Sequence, residues 1–211
     1  MNDRTGLLHS SLWIGDAPLI LASASFGRQQ VLRQAGLPFE ARAAEIDERL
    51  IESSLGNVGA DVVATTLARA KALAITDAAS DRWIIGADQV ASCEGRMFGK
   101  PPTREQAAEL LRFLSGRTHR LHSAVALVRS SAVVFETVAH ADLELRPLSE
   151  AFIDAYLDTV GEAALTSAGA YQVEGLGAQL FRHVSGDHWT IMGLPILPLL
   201  VALRQAGVVL S

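Results

Sequence analysis

The stretch Leu19-Ile20-Leu21-Ala22-Ser23-Ala24-Ser25-Phe26-Gly27-Arg28-Gln29-Gln30-Val31-Leu32 constrains the fold more than any other part of the chain. Its first residues form an apolar run too short for a buried helix and suited to a strand covered on both faces. A turn of small hydroxyl residues follows, and from Phe26 the spacing is helical as far as Gly36, a good residue just past a helix end, with Pro38 beyond it. A strand that feeds straight into a helix belongs to an α/β architecture. Ser25 is a natural N-cap. Backbone N–H groups at a helix start, two serine hydroxyls (Ser23 and Ser25) and the guanidinium of Arg28 together suit an anion, above all a phosphate. Taken alone, such a turn is also ordinary capped structure.

The remaining pattern keeps to the same class. Phe39 to Ala43 alternates and predicts a second strand. Residues 59–79 are alanine-rich with helical spacing, and Val62, Val63, Leu67, Ala70, Leu73 and Ala74 are expected to line one face. Trp83 to Ala87 reads as a buried strand ending at Asp88, and Glu94-Gly95-Arg96 as a turn between strands. Thr103 to Leu114 is a helix with Thr103 as cap, Gln106 three residues on and Gly116 past its end. Residues 119–145 alternate as two or three strands, and Ser149 caps a helix to Leu157. Residues 171–184 are strand-like, and 190–205 one apolar helix with Pro195 and Pro198 in its first turn. Residues 1–17 lack a period and are expected to be a leader with little effect on the core; 18–211 would then be one domain.

Composition narrows the function. Of 211 residues, 49% are hydrophobic and 19% charged, enough apolar material for a full core and too much for a disordered chain. The net charge of −5 comes from mixed charges with no basic stripe, which argues against duplex nucleic acid as a partner. No apolar run reaches the ~18 residues of a membrane span, and the first residues do not resemble a signal peptide, so a membrane partner is not expected and a cytoplasmic location is. The single cysteine, Cys93, rules out an internal disulfide and lacks a neighbouring base that would make it a nucleophile.

Two further clusters carry chemistry. In Gly86-Ala87-Asp88-Gln89-Val90 an aspartate follows an apolar strand, where α/β folds place ligands; its carboxylate suits Mg²⁺ or a water to be deprotonated. Lys100, between Gly99 and Pro101, is set to direct an amine at a phosphate. In Gly169-Ala170-Tyr171-Gln172-Val173-Glu174-Gly175-Leu176-Gly177 the glycines allow close backbone approach, and Glu174 can accept from an amino group or balance a positive charge. Glu40, Glu45, Asp47 and Glu48 form an acidic group that is either a solvated loop or a source of one metal ligand. His119, His122, His183 and His188 lack the spacing of a zinc site and read as structural or surface residues.

Together these segments resemble the Maf family of nucleoside triphosphate pyrophosphatases over about residues 18–207. The pieces that carry the resemblance are Leu21-Ala22-Ser23-Ala24-Ser25 with Arg28, Leu67-Ala68-Arg69-Ala70-Lys71-Ala72 and Gly86-Ala87-Asp88-Gln89-Val90. To these are added Gly99-Lys100-Pro101, Leu114-Ser115-Gly116-Arg117-Thr118-His119, Glu174-Gly175-Leu176-Gly177 and Gly193-Leu194-Pro195. The resemblance implies a two-lobed α/β fold, a mixed sheet flanked by helices as in inosine triphosphate pyrophosphatases, with a cleft between lobes and often a homodimer. It implies hydrolysis of a nucleoside triphosphate to monophosphate and pyrophosphate with a divalent cation, Mg²⁺ or Mn²⁺. Asp88 is then general base or metal-associated carboxylate, with Glu40 a further candidate ligand, and Ser23, Ser25, Arg28, Lys71 and Lys100 grip the phosphates. The family's usual Ser-Pro-Arg-Arg reads Ser25-Phe26-Gly27-Arg28 here. Gln89 and Glu174 stand where the dTTP/UTP branch usually has Thr and Gln, and look more like the branch that hydrolyses 7-methyl-GTP. A glutamate suits the N1–H and N2–H₂ donors of guanine and the positive charge of its 7-methyl form. Gly27 fits neither branch. The alternatives are the dTTP/UTP activity and a nucleotide-binding regulator of cell division with little catalysis, which only the altered helix start favours.

Overall fold

A computed structural model describes residues 12–75 and 81–211. Its elements in chain order are β1 (Leu19–Leu21), α1 (Phe26–Gln34), β2 (Phe39–Ala41), α2 (Glu48–Leu55), α3 (Ala60–Ala74), β3 (Ile84–Cys93), β4 (Arg96–Phe98), α4 (Arg104–Leu114), β5 (Thr118–Arg129), β6 (Ala132–Leu145), α5 (Glu150–Val160), β7 (Phe181–Ser185), α6 (His188–Ile191) and α7 (Ile196–Gln205). Two 3₁₀ turns, Gly161–Leu165 and Leu176–Leu180, lie between α5 and β7. The strands form a seven-stranded mixed sheet in the order β2-β1-β3-β5-β6-β7, with β4 beside β3. The expected mixed α/β class is therefore what the chain adopts.

The chain divides into two compact units. The first holds the described residues up to Asp88, with Ser123–Ala139 and Met192–Ser211; the second holds Gln89–His122 and His140–Ile191. In the first, β1 runs parallel to β2 (Leu19 opposite Phe39) and to β3 (Ile20 opposite Ile84). Ile20, Ala22, Ala72, Ile84 and Val128 share a core there. In the second, β3 and β4 form a hairpin closed by Glu94 (φ 50°) and Gly95 (φ 80°), a left-handed pair that matches strand twist. A larger core, centred on Leu111, Leu114, Leu143, Leu145 and Ile153, holds α4 and α5. Both helices are capped as their sequences predict: Thr103 accepts from Gln106 N at 3.3 Å and Ser149 from Phe152 N at 3.2 Å.

Three expectations need correction. The stretch 171–184 is mostly turn and 3₁₀, because its glycines close tight turns, and only Phe181–Ser185 pairs as a strand. The apolar segment 190–205 is broken at Gly193 (φ 88°) into α6 and α7, with Pro195 at the cap of α7. On α3 the buried residues are Ala60, Val63, Ala64, Leu67, Ala68, Lys71 and Ala72, whereas Val62 (47% exposed) and Leu73 (39%) face outward. The end of the predicted helix, 76–79, lies outside the described residues, as does the leader before Leu12. Residues 12–14 are tied to the chain end: Trp13 bridges Val209, and Ile14 N donates to Val208 O at 3.0 Å.

Candidate active site

Two residues before Asp88, the chain comes so close to α3 that only glycine fits. A Cβ at Gly86 would lie 2.0 Å from Ala68 O and 2.7 Å from Ala72 N. This contact seats β3 on the turn of α3 that carries Lys71. Lys71 Nζ therefore reaches Asp88 Oδ1 at 2.6 Å, and both residues are buried (8% and 6% exposed). The same ammonium meets Glu48 Oε1 at 2.9 Å. Glu48 opens α2, where Asp47 caps the helix by accepting from Leu50 N at 2.9 Å. Two carboxylates thus share one ammonium. Among the described residues no donor is bonded to Asp88 Oδ2.

The β1–α1 turn belongs to the same unit. Ser23 is buried, and its Oγ accepts from Ser25 N at 3.2 Å and from Arg28 Nη1 at 3.1 Å. Arg28 Nε donates to Gly193 O at 3.0 Å, so the guanidinium is held from two sides. Burial pushes its pKa down, while the charges of Asp88 and Glu48 pull the other way. An arginine always carries its charge in proteins, so this one is a fixed cation that an incoming anion would stabilise further. Ser25 takes the N-cap position, as expected, but its hydroxyl bonds no N–H of α1, and no acidic residue lies in the first turn. The helix start is left for an anion or for water. Gly27 has a packing reason: its Cβ would meet Met192 O at 3.0 Å.

Of the predicted site residues, the first unit thus brings together Ser23, Arg28, Lys71 and Asp88, with Ser25 and Gly27 in the same turn. Glu40, on β2, is committed elsewhere. Its carboxylate pairs with Arg42 at 2.9 Å and with Arg82 at 3.0 Å, and the bonds to Arg82 and Arg42 hold its pKa down. The second unit contains Gln89, Lys100 and Glu174. Gln89 Nε2 donates to the carbonyls of Thr190 (3.1 Å) and Ile191 (3.2 Å), so its amide fastens the α6 backbone. Lys100 and Glu174 are exposed, on the segment after β4 and in the turn before the second 3₁₀ stretch.

Residues 18–206 match the sequence model of the family described as Maf-like protein. The chain belongs to the Maf family. Its relatives agree with that assignment over nearly their whole length. A protein of Nitrobacter winogradskyi named nucleoside triphosphate pyrophosphatase is 50% identical over 195 residues, 92% of this chain and 96% of that protein. One of Rhodopseudomonas palustris with the same name is 51% identical over the same shares. A protein of Rhizobium meliloti named 7-methyl-GTP pyrophosphatase is 53% identical over 193 residues, 90% of this chain and 97% of that protein.

Sequence reasoning left Glu48 among a group of loop acids. The structure puts it on a helix with no buried residue. The available signal was the cap: Asp47 before Glu48, with Ile51 and Leu55 one helical turn apart. The Gly193 carbonyl that holds Arg28 had no local signal, since the contact spans 165 positions.

Proposed function

We propose that this chain hydrolyses a nucleoside triphosphate to the monophosphate and pyrophosphate, with 7-methyl-GTP as its preferred substrate. The observation that carries the reading is the buried Asp88–Lys71 contact at 2.6 Å, in the same unit as the Ser23–Arg28 anion turn. Cleaving between α- and β-phosphate requires an oriented water and neutralised oxygens. Lys71 fixes Asp88 through Oδ1, which leaves Oδ2 either to take a proton from that water or to hold an ion. Arg28, steadied by Ser23 and Gly193, presents a fixed guanidinium to phosphate oxygens, and the start of α1 with Ser25 adds N–H and hydroxyl donors. Lys100, an exposed cation on a short Gly-Lys-Pro segment of the second unit, is a further candidate for phosphate binding.

Asp88 and Glu48 offer only oxygen donors around one ammonium, the donor type that Mg²⁺ or Mn²⁺ takes. Glu40 is held by two arginines, whereas Lys71 bonds Asp88 and Glu48 through one oxygen each, so their second oxygens would hold the ion, with Asp88 Oδ2 serving there instead of as the base. A bound divalent cation supplies charge neutralisation on the phosphates and lowers the pKa of a bound water. Glu174 is our choice for reading the base, since its carboxylate complements the donors and positive charge of 7-methylguanine. Gln89 fastens the α6 backbone within the second unit. A homodimer in the cytoplasm is part of the same proposal; no helix among the described residues is long and apolar enough to cross a membrane.

The regulator reading rested on the altered Phe26-Gly27 helix start. A Cβ at Gly27 would meet Met192 O at 3.0 Å, which supports a packing reason for that glycine. The test is pyrophosphate release from 7-methyl-GTP, GTP, dTTP, UTP and CTP with Mg²⁺ or Mn²⁺. Highest kcat/KM on 7-methyl-GTP is expected; preference for dTTP or UTP would overturn the base assignment and keep the reaction.

A further inference from the structure

His119 is the one described residue with a buried side-chain nitrogen or oxygen that lacks a hydrogen-bond partner: its Nδ1 has none. The ring is 1% exposed, at the start of β5, and Nε2 is hydrogen-bonded to the hydroxyl of Tyr171. Three aromatic rings pack near it, Phe98 with centroids 5.9 Å apart, Tyr171 at 5.5 Å and Phe181 at 6.4 Å, and the backbone of Leu143 and the charge of Asp142 also act on the ring. Tyr171 and Phe181 meet edge to face at 4.8 Å. An apolar side chain here would leave the buried Tyr171 hydroxyl without this partner, whereas the imidazole meets it and leaves only its own Nδ1 unpaired. Packing alone does not call for histidine here. The bond to Tyr171 does.

That bond sits between two segments already singled out. Phe98 ends β4, and Lys100 follows two residues later. Tyr171 comes three residues before Glu174, and the backbone on either side of it is tightly set. Gly169 (φ 86°) and Ala170 (φ 62°) are left-handed, and a Cβ at Gly169 would lie 2.3 Å from the Tyr171 ring. Tyr156 donates its hydroxyl proton to Ala170 O at 3.2 Å. Gly175 N then closes on Gln172 O at 3.1 Å, and a Cβ at Gly177 would lie 2.4 Å from that same oxygen. Glu174 rides on a turn with little freedom of its own, so its place depends on where Tyr171 is held.

We infer that His119 is a positioning residue for substrate selection: through Tyr171 it fixes the turn that carries Glu174, and through Phe98 the segment that carries Lys100. This rests on the functional reading above, in which Glu174 reads the base and Lys100 binds phosphate. The imidazole touches no substrate; it acts through its two neighbours.

The test uses Tyr171→Phe, which keeps the ring and removes the hydroxyl, together with His119→Leu, His119→Gln and the double variant His119→Leu/Tyr171→Phe. The first readout is the ratio of kcat/KM between the preferred and the poorest nucleotide. Tyr171→Phe and His119→Leu are each expected to lower that ratio roughly five- to tenfold, the size of one lost hydrogen bond. The loss should appear in KM, with kcat little changed. His119→Gln, whose amide can still meet the Tyr171 hydroxyl, restores most of it, and the double variant is no worse than the worse single one. The second readout is amide hydrogen exchange over residues 172–177, expected to quicken in Tyr171→Phe while α4 and β5 keep their protection. An unchanged ratio, or equal losses on every nucleotide with unchanged exchange at 172–177, would overturn the inference. If the unaltered protein released pyrophosphate from no nucleotide, the functional reading would fall and the selection role with it. The exchange data would still decide whether the bond anchors the turn.

Discussion

Lowering the pH should remove a definite amount of stability through His119. Burial pushes its pKa from 6.5 to about 4, against the opposing charge of Asp142. The ring is therefore neutral in the folded chain at pH 7, and the unfolded chain takes up a proton first as pH falls. The stabilisation is complete above pH 6.5, declines between 6.5 and about 4, and changes no further below that. At about 1.4 kcal/mol for each pH unit between the two values, the total is about 3–4 kcal/mol, a large share of the 5–15 kcal/mol typical of a domain. Carboxylates held low by arginines, such as Asp142 beside Arg120, add their own losses at the acid end. Urea unfolding at several pH values between 7.5 and 4, on the unaltered chain and on His119→Leu, separates the two. The unaltered chain should lose about 3–4 kcal/mol more over that range than the variant. Parallel curves would refute the buried, neutral imidazole.

Other perturbations have equally direct outcomes. Gly86→Ala pushes a methyl group into the Ala68 carbonyl and should destabilise the fold by more than about 3 kcal/mol in urea unfolding, with activity falling as β3 leaves α3. Lys71→Met leaves Asp88 buried without its cation and should cost about 3–5 kcal/mol. Asp88→Asn should cost less, about 1–2 kcal/mol, because Lys71 keeps Glu48 and the amide oxygen still accepts. Dialysis against EDTA should abolish pyrophosphate release, and Mg²⁺ or Mn²⁺ should restore it; full activity in EDTA would remove the metal from the account.

The parts of the fold legible in the sequence were those written in local chemistry. The apolar run at β1, the caps Thr103 and Ser149, and the Glu94-Gly95 turn each carry their signal within a few residues. What was not legible depends on distant backbone. The buried face of α3 is built from alanines because Gly86 brings β3 against Ala68 and Ala72, so larger Val62 and Leu73 are turned outward. The helix α2 fully buries no side chain; its apolar Ile51 and Leu55, one turn apart, are only half-buried. The glycines of 169–177 suit close approach to a ligand, but Gly169 and Gly177 instead pack against Tyr171 and Gln172 of their own turn. At the candidate site, Asp88, Lys71, Ser23 and Arg28 could be named from motifs. The shared ammonium between Asp88 and Glu48, and the arginines that occupy Glu40, required the fold.

The most direct test of the central claim is ³¹P NMR of the products formed from 7-methyl-GTP with Mg²⁺, by the unaltered chain and by Asp88→Asn. The unaltered chain should form one pyrophosphate for each monophosphate, and Asp88→Asn, with unchanged circular dichroism, should show no turnover. Release of orthophosphate and a diphosphate, or undiminished turnover by Asp88→Asn, would contradict that claim.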